Sequence, residues 1–412
     1  MEPFRKAVVA MSSNRDHYQL PLALYEGDVL ETLVTDMYLP ADRQWFDGLL
    51  AALLPRRWLA ARFCAGLDSR KVRVPLRAFG TAALMQLVQT VRFNRYKDQV
   101  LSREARRLAL QTESALFCYS YYASEAFKEG KEQLPYRIIF QLHPHPQSVR
   151  NLLSEELDRT PFARMSLQAE PDMKLTGQAF QSLAEEPHLA NGWVTASTFT
   201  ARTLAENGIP FEKIHVVPYG VNSEVFVKRA APPDKKSPFT VIYVGSLIQR
   251  KGLSYLLDAA RLLGTQKLRI LLCGRGVVDW ELLKRYADLP IEIKLDLPRD
   301  ELVKQIQQSD LFVLPSLIEG FGHVIPEAMA CGVAVITTSN TCGPDVIEDG
   351  QQGFIVPIRN AEAIADKLSW AIENREAAAA MGEAAARRAR TLSWENFRAR
   401  IRDTYKKMIG GI

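Results

Sequence analysis

The chain has 412 residues, a formal net charge of +5, 47% hydrophobic and 24% charged residues. That composition excludes a disordered, collagen-like or low-complexity chain, and the length exceeds one ordinary core, so two domains are expected. No window approaches about eighteen uninterrupted apolar residues, so no spanning helix is expected. The five cysteines include no C-x-x-C pair, which points to reduced thiols rather than a disulfide frame or zinc site.

In chain order, Lys6–Met11 reads as a first β-strand, its apolar stretch too short for a signal peptide. The loop after it is Ser12-Ser13-Asn14-Arg15-Asp16-His17. Between Pro55 and Arg107, thirteen basic residues stand against three acidic ones, beside Trp45, Phe46, Leu49, Leu50, Leu53, Leu54, Trp58 and Leu59 at roughly helical spacing. Two explanations stay open: the solvated face of a two-helix insert, or an amphipathic segment through residues 45–107 resting on an anionic membrane surface. No nucleic-acid module is present, so nucleic acid is not an expected partner. Further strands are expected at Ala115–Tyr119, Arg137–Leu142 and Gly192–Ala196. Helices are expected at Trp45–Leu54, Leu84–Tyr96, Val100–Leu110, Ser124–Glu129, Ser148–Thr160, Lys174–Glu186 and Ser197–Asn207. A short strand and turn at Ile214–Asn222 leads to a polar, proline-containing stretch at 231–238, which marks the domain boundary.

Beyond it the alternation restarts. Strands are expected at Phe239–Val244, Leu268–Cys273, Ile291–Lys294, Leu311–Leu314, Ala334–Thr337 and Gly353–Val356. Helices are expected at Ser254–Leu263, Trp280–Ala287, Arg299–Ser309, Val324–Cys331, Asp345–Ile347 and Ala361–Asn374. This is the pattern of a doubly wound parallel sheet. Ser393 caps a last helix that runs to about Met408. The fold class is therefore α/β, with Rossmann-like domains at 1–230 and 231–392.

The most informative stretch is Pro315-Ser316-Leu317-Ile318-Glu319-Gly320-Phe321-Gly322, followed by Pro326-Glu327-Ala328-Met329-Ala330-Cys331-Gly332. A buried strand, a glycine loop and a helix N-terminus offer backbone N–H groups and a positive dipole end, which suits a phosphate. Glu319 and Glu327, eight positions apart, can accept hydrogen bonds from sugar hydroxyls. Val244-Gly245-Ser246-Leu247-Ile248-Gln249-Arg250-Lys251-Gly252 follows the first strand of the second domain, where Arg250 and Lys251 can meet a diphosphate. Leu272-Cys273-Gly274-Arg275-Gly276 reads as a G-x-G turn at the end of the next strand. In the first domain, Gln141-Leu142-His143-Pro144-His145 lies between a strand and a helix and so faces a cleft. No full G-x-G-x-x-G occurs, which disfavours NAD.

These segments resemble the retaining glycosyltransferases of the GT-B fold, group 1 or family 4, whose signature is two glutamates eight positions apart with Gly-Phe-Gly after the first. The resemblance implies two Rossmann-like domains facing across a cleft, with the 393–412 helix packing back on the first. It implies transfer of a sugar from a nucleotide-diphosphate sugar to an acceptor hydroxyl with retention, as in cell-surface polysaccharide or glycolipid synthesis. By the resemblance, Lys251 and Arg250 hold the donor phosphates, Glu319 the donor-sugar hydroxyls and Glu327 the ribose. Gly320, Phe321 and Gly322 offer backbone N–H groups, and His143 touches the donor. Gly245, Ser246, Gly274 and Arg275 lie near the nucleotide.

The chain departs from the pattern at Ser246, at Asn222, at the missing glycine near Asp296-Leu297-Pro298, and in its first loop. Arg15 and Asp16 there are candidates for acceptor recognition. No Asp-x-Asp motif stands out, so no obligatory cofactor or metal is expected. The expected partners are a nucleotide-sugar donor and a sugar or lipid-linked acceptor. The expected location is cytoplasmic, with peripheral contact at the inner membrane face left as an open alternative. The rival reading is a catalytically silent GT-B scaffold.

Overall fold

The computed structural model describes residues 5–39, 61–84, 91–128, 133–234, 236–264 and 268–410. Strands β1 (Ala7–Met11), β2 (Leu30–Thr35), β3 (Val72–Arg73), β4 (Ala115–Tyr119), β5 (Arg137–Gln141), β6 (Gly192–Thr195) and β7 (Ile214–Val216) form one parallel sheet. Its order is β3-β2-β1-β4-β5-β6-β7. Strands β8 (Phe239–Leu247), β9 (Leu268–Val278), β10 (Ile291–Leu295), β11 (Leu311–Leu314), β12 (Ala334–Thr338) and β13 (Gly353–Val356) form a second, ordered β10-β9-β8-β11-β12-β13. Each sheet reverses direction beside its first strand, so the carboxyl ends of β1 with β4 and of β8 with β11 open a crevice. Strands buried on both faces read as continuous apolar runs: every residue of β1, β4 and β11 is buried.

The chain returns at its end. The Ser393 hydroxyl accepts from the Asn396 N–H, starting the helix Trp394–Ile409. That helix lies on the first domain: the Tyr405 hydroxyl donates to the Arg5 carbonyl (2.7 Å), and Arg398 pairs with Glu26 (2.9 Å). Gly220 makes the crossing possible, because a Cβ there would sit 2.5 Å from the Trp394 nitrogen.

Several expectations need correction. Val100–Leu110 is part of one longer helix, Val91–Gln111, because Lys97-Asp98-Gln99 contains no breaker. The helix Leu76–Leu84, the strands β2 and β3 and the helix Arg375–Arg390 are additions to the expected elements. The expected helix Trp45–Leu54 lies outside the described residues. Within the basic segment, Arg62 and Lys97 are not surface charges. Both are buried against the carboxylate of Asp36, at 3.1 and 3.4 Å. Among the described residues no helix is long and apolar enough to cross a membrane.

Candidate functional site

A cavity of about 760 Å³ lies between the two sheets. Arg15, Asp16, Tyr121, His143, Glu170 and Asp172 line it from the first domain, and Gly245, Arg250, Lys251, Glu319, Phe321 and His323 from the second. The cations sit where they do because β8 ends in a turn closed by Gly252, whose left-handed φ of 71° few other residues adopt. The Leu317 N–H donates to the Arg250 carbonyl (2.9 Å), which ties that turn to the loop after β11.

Glu319 is the centre. Its Oε1 accepts from the Lys251 ammonium and from the Ser316 hydroxyl (3.0 Å), and lies 3.6 Å from the Arg250 guanidinium. Its own N–H donates to the Asn340 carbonyl (3.0 Å), and the Asn340 amide donates to the Leu317 carbonyl (2.9 Å). Burial alone would raise the Glu319 carboxyl, but Lys251 and then Arg250 outweigh it and hold it below its ordinary value. Burial pulls the Lys251 ammonium down, against the opposing charge of Glu319. The result is a fixed, ionised carboxylate braced by two cations.

Gly320 follows, and its smallness serves the contact between the domains. A Cβ there would meet the Leu142 carbonyl of the first domain at 2.1 Å. The Gly320 carbonyl accepts from the Ser197 hydroxyl (2.6 Å) and the Thr200 hydroxyl (3.1 Å), so this glycine is where the two domains touch. Gly322 does take a left-handed φ of 90°. The helix Val324–Ala330 then ends at Gly332. There the Gly332 N–H donates to the Met329 carbonyl (2.9 Å) and the Val333 N–H to the Ala328 carbonyl (3.2 Å), a Schellman cap.

Of the residues named from sequence, Arg250, Lys251, Glu319, His143, Gly245, Gly320, Phe321 and Gly322 line one cavity; Ser246, Gly274, Arg275 and Glu327 are not among its lining residues. Gly274 and Arg275 do not form a turn at a strand end. They lie inside β9, which continues to Val278 with a register shift against β8. A Cβ on Gly274 would sit 2.6 Å from the Leu295 side chain, so its smallness serves packing. The Ser246 hydroxyl donates to the Arg275 carbonyl (3.0 Å).

His143 faces the cleft edge-on to Tyr121, with ring centroids 5.3 Å apart. Desolvation, helped by Arg15 and Arg250, pushes its imidazole down to about 4, so it is neutral at pH 7. His145 is structural instead, since its Nδ1 accepts from the Gln147 N–H (3.2 Å) and caps a helix. Burial raises Glu327 to about 7, opposed by Arg299.

Sequence reasoning missed Glu170, Asp172, Tyr219 and His323. Tyr219, from the linker, stacks on His323 (4.9 Å) and on Phe140 (5.5 Å), joining both domains beneath the cleft. The first loop holds another surprise. Ser13, Asp16, His17 and Tyr18 all have positive φ although none is glycine. Asp36 accepts from the Ser13 N–H (2.9 Å), and Asp16 accepts from the Tyr119 hydroxyl (2.5 Å), so side chains hold a backbone that glycines would adopt freely. Among the described residues, no cluster of three or more His, Cys, Asp or Glu side chains is placed to hold a metal ion.

Residues 226–388, which include all of the second sheet, match the family model of glycosyl transferases group 1. That match, with the geometry of the Glu319 loop, makes the second domain similar to group 1 glycosyl transferases. Over 176 residues the chain is 32% identical to an O-antigen chain mannosyltransferase B of Escherichia coli, covering 40% of this chain and 45% of that one. Over 174 residues it is 29% identical to the amylovoran biosynthesis glycosyltransferase AmsK of Erwinia amylovora, covering 39% and 42%. The match thus spans less than half the length of these relatives. The likeness in fold runs further. A sucrose-phosphate synthase from Thermosynechococcus elongatus superposes with a TM-score of 0.64 at 16% identity, covering 99% of this chain and all of the other. HepE of Anabaena, solved in complex with UDP, gives 0.62 at 14% identity, covering 98% of this chain and all of HepE. Both domains together have the GT-B architecture.

Proposed function

We propose that this protein transfers a sugar from a nucleotide-diphosphate sugar to an acceptor hydroxyl, with retention, in the making of a cell-surface polysaccharide or glycolipid. The observation that carries the reading is one ionised carboxylate, Glu319, braced by Lys251 and Arg250 and facing His143 across the cleft. Two cations at one turn stabilise the charge that develops on a leaving diphosphate, the greatest rate contribution such a site can make. Glu319 accepts hydrogen bonds from the donor sugar's hydroxyls. Neutral His143 can donate to an oxygen of the donor without adding charge. Glu327, eight positions after Glu319 in the helix Val324–Ala330, receives the ribose. The relatives named for O-antigen and amylovoran synthesis and a fold neighbour crystallised with UDP support the same chemistry. The acceptor approaches from the first domain's wall, near Arg15 and Asp16.

The test is a thermal-shift panel of UDP, GDP, ADP and their sugar conjugates, followed by transfer assays. A nucleotide at a hundred times its dissociation constant adds about 2.7 kcal/mol of stability. Lys251→Ala should keep the fold and lose on the order of 10²–10³ in transfer rate. Wild-type turnover in that variant would end the assignment, and no stabilisation by any nucleotide would favour a silent scaffold.

A further inference from the structure

The cations that this reading gives to the donor phosphates are already matched by carboxylates, one of them from the opposite domain. Arg250 Nε lies 2.9 Å from Glu170 Oε1, while its Nη1 donates to the Ile318 carbonyl (2.9 Å) and lies 3.6 Å from Glu319. Lys251 is taken by Glu319. Two cations therefore meet two carboxylates, and the turn offers an arriving diphosphate no net positive charge.

The two carboxylates are not equivalent. Glu319 belongs to the same domain as the cations and is fixed by Ser316 and by its backbone bond to Asn340. Glu170 stands on the first domain, immediately before the short helix Pro171–Lys174. Its loop is braced: the Arg150 guanidinium donates to the Asp172 carbonyl (2.7 Å) and lies over the Phe180 ring, 3.3 Å from its centre. Glu170 therefore moves with the first domain as a rigid piece. Beside it Asp172, only 8% exposed, lines the cavity with a buried Oδ1 that finds no hydrogen-bond partner. The wall that faces the cations is thus acidic as well as close.

We infer that Glu170 is an internal competitor for the phosphate site: its carboxylate holds Arg250 across the cleft and must be displaced when a donor diphosphate binds. The inference rests on the proposed donor reading. Entry of the donor then requires the first domain to withdraw, because Glu170 and a phosphate cannot both share the Arg250 fork without like charges in contact. The contact keeps the cations neutralised and the cleft bridged until a diphosphate replaces it.

Isothermal titration calorimetry with inorganic pyrophosphate and with UDP, GDP and ADP tests this on the full chain, wild type against Glu170→Gln and Glu170→Asp. Glu170→Gln should bind pyrophosphate, and whichever nucleoside diphosphate the wild type accepts, on the order of tenfold tighter. Glu170→Asp, which shortens the reach by one methylene, should fall between. Gain of pyrophosphate binding in the Gln variant where wild type shows none would also support the inference. If wild type binds and Glu170→Gln binds equally or more weakly, Glu170 is a strut and this inference falls while the donor reading stands. If neither protein binds any phosphate probe, both fall. Circular dichroism on each variant keeps misfolding from being read as lost affinity.

Discussion

At the scale of single residues, the pair of glutamates that the sequence singles out behave as opposites. Glu319 is held ionised by Lys251 and Arg250, whereas burial lifts Glu327 to about 7 with only Arg299 opposing. A carboxyl whose folded value is raised binds its proton more tightly in the folded state than in the unfolded one. Stability is therefore highest below its ordinary value of 4.5, falls as pH climbs to about 7, and stays lowered above that. Glu327→Gln, neutral at every pH, should raise the melting temperature relative to wild type at pH 8 and leave it nearly unchanged at pH 4.5. Asp16, also raised to about 7 by burial, has the same sign but is present in both proteins and cancels in the comparison. Differential scanning fluorimetry across pH 4.5 to 8 reads this directly; a variant no more stable than wild type at pH 8 would contradict it. Glu319, Arg250 and Lys251 were legible in sequence because each sits in a short contiguous motif at a strand end. Glu170 and Asp172 were not, since nothing local distinguishes an acidic pair at the start of a short helix until folding sets it beside Arg250. The basic segment misled in the converse way. Charge counted along the chain cannot show that Asp36 takes Arg62 and Lys97 into the interior.

At the scale of elements, long apolar runs such as Leu311–Leu314 declared themselves because a parallel strand buried on both faces leaves no polar position. The strand β2, Leu-Glu-Thr-Leu-Val-Thr, did not, because its first half is only partly buried and keeps polar residues. The Ala-rich helix Arg375–Arg390 carries its signal in helix propensity rather than in a stripe of large apolar residues. Glycines show how much an element depends on its neighbour. Gly252 and Gly350 have similar left-handed φ values, 71° and 80°. Around Gly350 nothing lies within 4 Å of an added Cβ, whereas at Gly252 the Pro315 carbonyl would be 1.9 Å away. Gly350→Ala should cost only its backbone strain, about 1–2 kcal/mol. Gly252→Ala adds a backbone collision that must push the helix Leu253–Leu263 away from the end of β11, at a further cost of about 1–3 kcal/mol. Denaturant midpoints of the two variants measure the difference, and equal midpoints would mean the collision is relieved without cost. Because Gly252 closes the Arg250–Lys251 turn, its variant should also lose nucleotide affinity, whereas Gly350→Ala should keep it.

At the scale of the whole molecule, the two domains are joined by polar contacts as well as by the returning helix. The Thr198 N–H donates to the Asp345 carboxylate (3.0 Å), and Arg202 donates to the Asn340 side chain (3.0 Å). A further clasp is Glu156, fully buried on the helix Pro146–Arg159 of the first domain. Through Oε1 it accepts from the Gln249 amide (2.7 Å) and the Tyr255 hydroxyl (2.9 Å), and through Oε2 from the Arg359 guanidinium (2.8 Å). All three donors belong to the second domain. Glu156→Ala leaves Gln249 and Tyr255 without this acceptor, at about 1–3 kcal/mol for each unsatisfied buried donor, while Arg359 keeps Glu155 and the Leu152 carbonyl. That loss falls on the contact between the domains, so they should separate while each sheet stays folded. Small-angle scattering should then show a larger radius of gyration for Glu156→Ala, with little change in circular dichroism. Gln249 directly precedes Arg250 and Lys251, so the clasp that closes the domains also orients the cation turn. In a Glu170→Gln background, where the first domain no longer competes for Arg250, adding Glu156→Ala should weaken nucleoside-diphosphate binding through the loosened turn alone. An unchanged radius together with unchanged affinity would show that Glu156 neither closes the cleft nor sets the turn.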